Sequence, residues 1–136
     1  MIVIGIQLLA LQLESGILNS TESDLENTVK SEKATPKRIS ALEVEKLLEN
    51  GRVTIADIRD KKSYLTSNIP DSIHLSQDNL EEFMKNTNAE EPLLIYCYHG
   101  INSINTAEYF VNQGFKNVYS LDGGYSEYSK KSKSRP

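Results

Sequence analysis

The chain has 136 residues, 38% of them hydrophobic and 25% charged, which is typical of one ordinary globular domain. Its net charge of -4 argues against a general nucleic-acid binder, because such proteins usually present a basic face. The single cysteine, Cys97, excludes an internal disulfide and a zinc site of the multi-cysteine kind.

Residues 1–37 are predicted to lie outside the folded domain. Residues 1–13 are apolar but interrupted by Gln7 and Gln12, and they are shorter than the roughly 20 residues of a membrane-spanning helix. We interpret them as an extension rather than a packed helix or a peripheral amphipathic segment, and the polar residues 19–37 as a linker. No secretory signal is clear. We therefore expect a cytoplasmic protein without membrane or nucleic-acid partners; the alternative is export or membrane association through residues 1–18.

The predicted domain covers residues 38–129 and begins with a short strand at Arg38 and Ile39. Ser40 and Glu43 have the spacing of a capping box, which predicts the start of a helix. Asn50 and Gly51 are expected to end that helix. Its buried face is predicted to consist of Leu42, Val44, Leu47 and Leu48.

Strands and helices then alternate along the chain. The β-branched and apolar runs predict strands at residues 53–58, 72–75, 92–97 and 118–121. Helices are predicted at residues 78–85, from Ser103 to Gly114 and after Gly124. Residues 61–68 are interpreted as a polar connection that can include a helical turn, and residues 130–136 as a basic tail. This order predicts an α/β fold with a central parallel sheet covered by helices on both faces. Ligands of such sheets bind beyond the carboxyl ends of the strands, where Cys97 is expected to lie.

The segment after the most apolar strand, residues 97–103, predicts an anion site. A loop between a strand and a helix can direct several backbone N–H groups inward, and the helix adds its positive end. Both effects lower the pKa of a cysteine and favour the nucleophilic thiolate. The same amides can hold a persulfide. The alternative is that Cys97 is a buried small hydrophobic residue.

The motifs of this chain, in their order and spacing, resemble those of rhodanese domains. They are the loop at residues 97–103 (CYHGINS), the segment at 112–124, the Asp57 and Arg59 pair, and residues 64–75. The resemblance covers about residues 38–128 and is strongest to the small single-domain thiosulfate sulfurtransferases of the bacterial glycerol-metabolism operon type. Asn68, Asp71, Ser72 and Tyr128 depart from the family pattern.

The resemblance implies that Cys97 takes the outer sulfur of thiosulfate as a persulfide and passes it to cyanide or a thiol. It implies no metal and no organic cofactor. The cradle for the sulfur would be formed by Tyr98, His99, Gly100, Ile101, Asn102 and Ser103. Because His99 is the only basic residue of this loop, another persulfide is an alternative donor.

Four residues near Cys97 have two open interpretations each. Asp57 and Arg59 are expected to pair and support the rim of the site rather than contact substrate. His99 either assists anion binding or has a hydrogen-bonding role. Ser103 either caps the following helix, which is the simpler expectation, or binds the sulfur anion.

Two other functions compete with a free-standing sulfurtransferase. A phosphatase or arsenate reductase requires an arginine in the cysteine loop, and residues 97–103 contain none. A sulfur-relay module, receiving persulfide from a thiol-bearing redox or sulfur-carrier protein, fits the single cysteine equally well.

Overall fold

The computed structural model describes residues 35–133. The predicted extension, most of the predicted linker and residues 134–136 of the predicted basic tail lie outside the described part. Within residues 35–133 the strands are β1 (Lys37–Ile39), β2 (Thr54–Asp57), β3 (Ile73–His74), β4 (Leu93–Tyr96) and β5 (Val118–Leu121). The helices are α1 (Ala41–Glu49), α2 (Lys61–Thr66), α3 (Leu80–Asn86), α4 (Asn102–Asn112) and α5 (Gly124–Lys133).

The strands form one parallel sheet in the order β1-β5-β4-β2-β3. β4 is the central strand, and each of its four residues is buried. Its carboxyl end therefore lies between the segments that follow β5 and β2. Cys97 is the next residue along the chain, so the sheet places it at the predicted edge.

Side chains alternate between the two faces of the sheet, and each face has its own apolar core. On one face Leu93 and Ile95 of β4 pack with Phe83 of α3 and Phe110 of α4. On the other face, the buried residues are Ile39, Val44, Ile55, Ile69, Leu94, Tyr96 and Leu121. The predicted fold class, a parallel sheet with helices on both faces, is confirmed.

Helix α1 begins with the predicted capping box. The Glu43 amide donates to Ser40 Oγ over 3.3 Å, and the Ser40 amide donates to Glu43 Oε1 over 3.3 Å. The prediction of its buried face was half wrong, because Leu42 and Leu48 are exposed. Val44 is fully buried and Leu47 packs against the same core, so this short helix buries only a narrow stripe.

Two further segments are more helical than the sequence interpretation, which allowed one helical turn at 61–68 and none at 130–136. The polar connection at residues 61–68 contains helix α2, which Asp60 caps by accepting a hydrogen bond from the Ser63 amide over 2.9 Å. Residues 130–133, assigned to the basic tail, form the last turn of α5. No helix within residues 35–133 is long and apolar enough to span a bilayer.

The turn that departs from the family pattern is held by side-chain hydrogen bonds. Asn68 Nδ2 donates to the Tyr64 carbonyl over 2.9 Å, and Tyr64 Oη donates to the Ser72 carbonyl over 2.8 Å. Asp71 adopts a left-handed conformation with φ 68°, which is uncommon outside glycine but tolerated by aspartate. The turn therefore forms without glycine.

Candidate active site

The loop after β4 is fastened to the start of α5. The Tyr125 amide donates to the Cys97 carbonyl over 2.9 Å, and the Ser126 amide donates to the Tyr98 carbonyl over 3.0 Å. Gly124 makes this close approach possible, because a Cβ atom there would lie 2.5 Å from the Cys97 carbonyl oxygen. The first turn of α5 thus holds the backbone of Cys97 and Tyr98 in place.

Hydrogen-bonding groups of the loop itself converge on Cys97 Sγ. The Gly100 amide lies 3.1 Å from the sulfur and the Ser103 amide 3.4 Å. Ser103 Oγ is 3.5 Å away. The sulfur itself is largely buried, with Cys97 only 6% exposed.

These donors control the ionisation of the thiol. Burial alone raises the pKa of Cys97, because it penalises the thiolate. Hydrogen bonds from the Ser103 hydroxyl and from the amides of Ser103, Gly100 and His99 together outweigh burial, so the pKa of Cys97 lies below its ordinary value. The geometry therefore favours the form of cysteine that attacks electrophilic sulfur.

Ser103 is not the helix cap that the sequence predicted. The N-cap position of α4 is Ile101, which has no side chain able to cap, and Ser103 lies in the first turn with its side chain fully buried. Its hydroxyl instead lies between Cys97 Sγ and Ser120 Oγ, which is 2.8 Å away. Toward a thiolate Ser103 must donate its proton, so Ser120 must then donate to Ser103.

Sequence reasoning missed Ser120. It lies on β5 with Val118 on the same face of the sheet, and it is fully buried. The sequence does contain a signal for it. A serine at an inward-facing position of a buried strand needs a hydrogen-bond partner for its hydroxyl.

The rest of the predicted cradle is open to solvent. Tyr98 is 50% exposed and Ile101 72%, and His99 and Asn102 are also exposed. The rings of Tyr98 and His99 lie against each other with centroids 4.8 Å apart. The structure therefore brings the amides of His99, Gly100 and Ser103 to the sulfur. The side chains of Tyr98, His99, Ile101 and Asn102 are exposed around the loop.

Asp57 and Arg59 form a buried ion pair beside this loop. Arg59 Nε lies 3.1 Å from both carboxylate oxygens of Asp57, and Nη2 lies 2.7 Å from Oδ2. The guanidinium also stacks on the Tyr125 ring at 4.2 Å from its centroid. The pair therefore packs against the residue whose amide donates to the Cys97 carbonyl.

Gly124→Ala is expected to loosen the loop and lower stability. The new Cβ would meet Cys97 and Tyr98 backbone atoms at 2.5 and 2.6 Å, and such overpacking typically costs about 1–3 kcal/mol. Gly114→Ala is the matched control, since Gly114 also has positive φ but nothing within 4 Å. Chemical denaturation should show the larger loss for Gly124→Ala; equal losses would mean that backbone conformation, not contact with the loop, is what matters.

Similar proteins were found by both sequence and structure. The rhodanese-like domain family model matches residues 40–131. Thiosulfate sulfurtransferase GlpE of Coxiella burnetii is 45% identical over 92 residues, which cover 68% of this chain and 86% of that protein. The protein of the same name in Pseudoalteromonas translucida is also 45% identical over 92 residues, 68% of this chain and 88% of its own. The crystal structure of a rhodanese-like domain protein from Staphylococcus aureus is 27% identical with a TM-score of 0.60, covering 68% of this chain and 90% of that one.

Proposed function

Because the chain belongs to the rhodanese-like domain family, we propose that it is a thiosulfate sulfurtransferase in which Cys97 carries the transferred sulfur. The observation that carries this proposal is the set of donors on one sulfur atom, Gly100 N–H at 3.1 Å and Ser103 N–H at 3.4 Å. The relatives named thiosulfate sulfurtransferase align over most of their own length, which supports the same activity here.

In the first half-reaction the Cys97 thiolate attacks the outer sulfur of thiosulfate. The new bond joins Sγ to that sulfur, the S–S bond of thiosulfate breaks, and sulfite leaves with the electron pair. The donors from Gly100 and Ser103 stabilise the attacking thiolate, and the persulfide anion then takes up the charge in the same cradle. The exposed side chains of Tyr98, His99, Ile101 and Asn102 are proposed to contact the substrate.

In the second half-reaction an acceptor thiol or cyanide takes the outer sulfur. The S–S bond of the persulfide breaks, a bond from the acceptor to the sulfur forms, and the Cys97 thiolate leaves with the electron pair. A low pKa makes that thiolate a good leaving group. No second cysteine exists in this chain to resolve the persulfide, so the acceptor must come from outside.

Mass spectrometry after exposure to thiosulfate tests the proposal directly. The intact protein is expected to gain the mass of one sulfur atom, to lose it to dithiothreitol, and to show the adduct on the peptide containing Cys97. Protein whose Cys97 has been alkylated beforehand should gain nothing. A wild-type protein that never takes up sulfur from thiosulfate would contradict the proposed donor.

The sulfur-relay module remains the second candidate. It is favoured by one observation, that residues 97–103 contain no lysine or arginine to hold a dianion. Under this alternative, Cys97 would take up sulfur from a partner protein's persulfide but turn over thiosulfate and cyanide slowly. Comparing the two donors at equal concentration separates the candidates.

In either case the cytoplasmic location stays a prediction.

A further inference from the structure

A small cleft of about 210 Å³ lies beside the sulfur-carrying loop. Its walls include two tyrosine rings and polar residues of helix α2: Tyr98, Tyr125, Lys62, Ser63 and Thr66. Both tyrosines are neighbours of Cys97. Tyr98 follows it in the sequence, and the Tyr125 amide donates to its carbonyl over 2.9 Å. Cys97 itself does not line the cleft. We call this space the Lys62 cleft.

The Lys62 cleft presents positive charge without a balancing acid. None of its lining residues is an aspartate or a glutamate. Lys62 has no acidic partner within residues 35–133. The hydroxyls of Ser63 and Thr66 already donate, to Asp60 and to the Lys62 carbonyl. The Lys62 ammonium is therefore the unbalanced charge of this space.

Arg59 is a second cation in the wall of the same cleft. Its side chain is only 4% exposed, and its hydrogen bonds to Asp57 and to the Ser67 carbonyl use Nε and Nη2. Arg59 nevertheless lines the cleft, so its guanidinium lies in the same wall as Lys62. A guanidinium N–H beside a lysine is a site for a carboxylate.

The position of the cleft suits the sulfur acceptor better than the sulfur donor. Thiosulfate must place its outer sulfur on Cys97, and the rest of the molecule is only one S–S bond away. A ligand anchored in the cleft must instead extend along Tyr98 to reach the sulfur, which requires a carbon chain. The tyrosine rings offer such a chain an apolar surface.

Building on the proposed function, we propose that the Lys62 cleft is the acceptor subsite and binds the carboxylate of a small carboxylate-bearing thiol. Lys62, with Arg59 beside it in the wall of the cleft, holds the carboxylate, and the thiol reaches the outer sulfur of the Cys97 persulfide. The thiol then becomes a persulfide, its proton stays with that product, and the Cys97 thiolate is released.

The test compares two acceptors of similar length, β-mercaptopropionate and β-mercaptoethanol, on enzyme already loaded with sulfur. Loading by thiosulfate is measured first, by mass, and excess thiosulfate is removed. In Lys62→Gln the rate with β-mercaptopropionate should fall about fivefold, the size of a modest ion pair, while the rate with β-mercaptoethanol changes by less than about twofold. For each thiol, dividing the rate of the variant by the rate of the wild type cancels the intrinsic reactivity of that thiol.

Lys61→Gln is the matched control, because it removes the same charge from the same helix but Lys61 lines a different cleft. It should leave both rates unchanged. Equal effects of the two variants would overturn the proposal, and so would a Lys62→Gln protein that is slow only in loading from thiosulfate.

Failure of the proposed function is seen separately, because the wild type would then not load. The cleft is in that case judged by titrating the unloaded protein with propionate and following the amide NMR signals of Tyr98 and Tyr125. These signals should move in the wild type and in Lys61→Gln but not in Lys62→Gln. Signals that stay fixed in the wild type would overturn the acceptor subsite.

Discussion

Cys97→Ser is expected to abolish sulfur transfer while the fold stays intact. A serine hydroxyl does not ionise near neutral pH and does not form a persulfide, so turnover with thiosulfate and cyanide should fall by at least about a thousandfold. No other cysteine in the chain can take over the sulfur. The measurement is the steady-state release of thiocyanate, with the melting temperature as the control for folding.

Serine is a suitable replacement because the cradle can accept it. The Gly100 and Ser103 amides that lie 3.1 and 3.4 Å from Sγ remain available to an oxygen at nearly the same place. A melting temperature close to that of the wild type would therefore locate the loss in the chemistry. Turnover that survives in this variant would contradict the assignment of Cys97. Alkylation of the wild type supplies a second check, because activity should disappear in proportion to the label bound.

The sequence predicted the fold and the position of Cys97 at the end of a buried strand, because both depend on patterns that extend over many residues. The apolar run of β4, the alternation of strands with helices and the order of the family motifs are properties of many residues together, and they fixed Cys97 at the carboxyl edge of the sheet. The capping box of Ser40 and Glu43 was also predictable, because its two residues lie only three positions apart in the sequence.

Features that depend on distant partners were not predictable. Ser103 looks like a helix cap, yet Ile101 occupies that position, and the second interpretation of Ser103, a contact with the sulfur, fits the structure. Its other partner, Ser120, lies on a distant strand and was not foreseen. Leu42 and Leu48 fit a helical apolar stripe, but α1 covers too little of the sheet to bury them. The Lys62 cleft joins α2 to the cysteine loop across 36 residues of sequence, and no local pattern indicates it.

The ion pair of Asp57 and Arg59 leads to the second large prediction. Asp57→Ala should lower the free energy of unfolding by about 3–5 kcal/mol, because it leaves a guanidinium buried without its counter-charge. Both side chains are almost completely buried, 4% exposed for Arg59 and 0% for Asp57. Glu90→Ala is the matched control, since it breaks the exposed pair with Lys116, whose side chains are 67% and 66% exposed, and should cost no more than about 1 kcal/mol. Urea denaturation measures both.

The double variant Asp57→Ala with Arg59→Met decides why the pair matters. If the main cost of Asp57→Ala is the orphaned charge, removing that charge as well should recover part of the lost stability. Activity should not recover in parallel, because the guanidinium that stacks on Tyr125 at 4.2 Å is gone and the Tyr125 amide holds the Cys97 carbonyl less firmly. A double variant less stable than Asp57→Ala would mean that packing of Arg59, rather than its charge, dominates. Loss of activity that tracks stability alone would show that the pair has no separate influence on the loop.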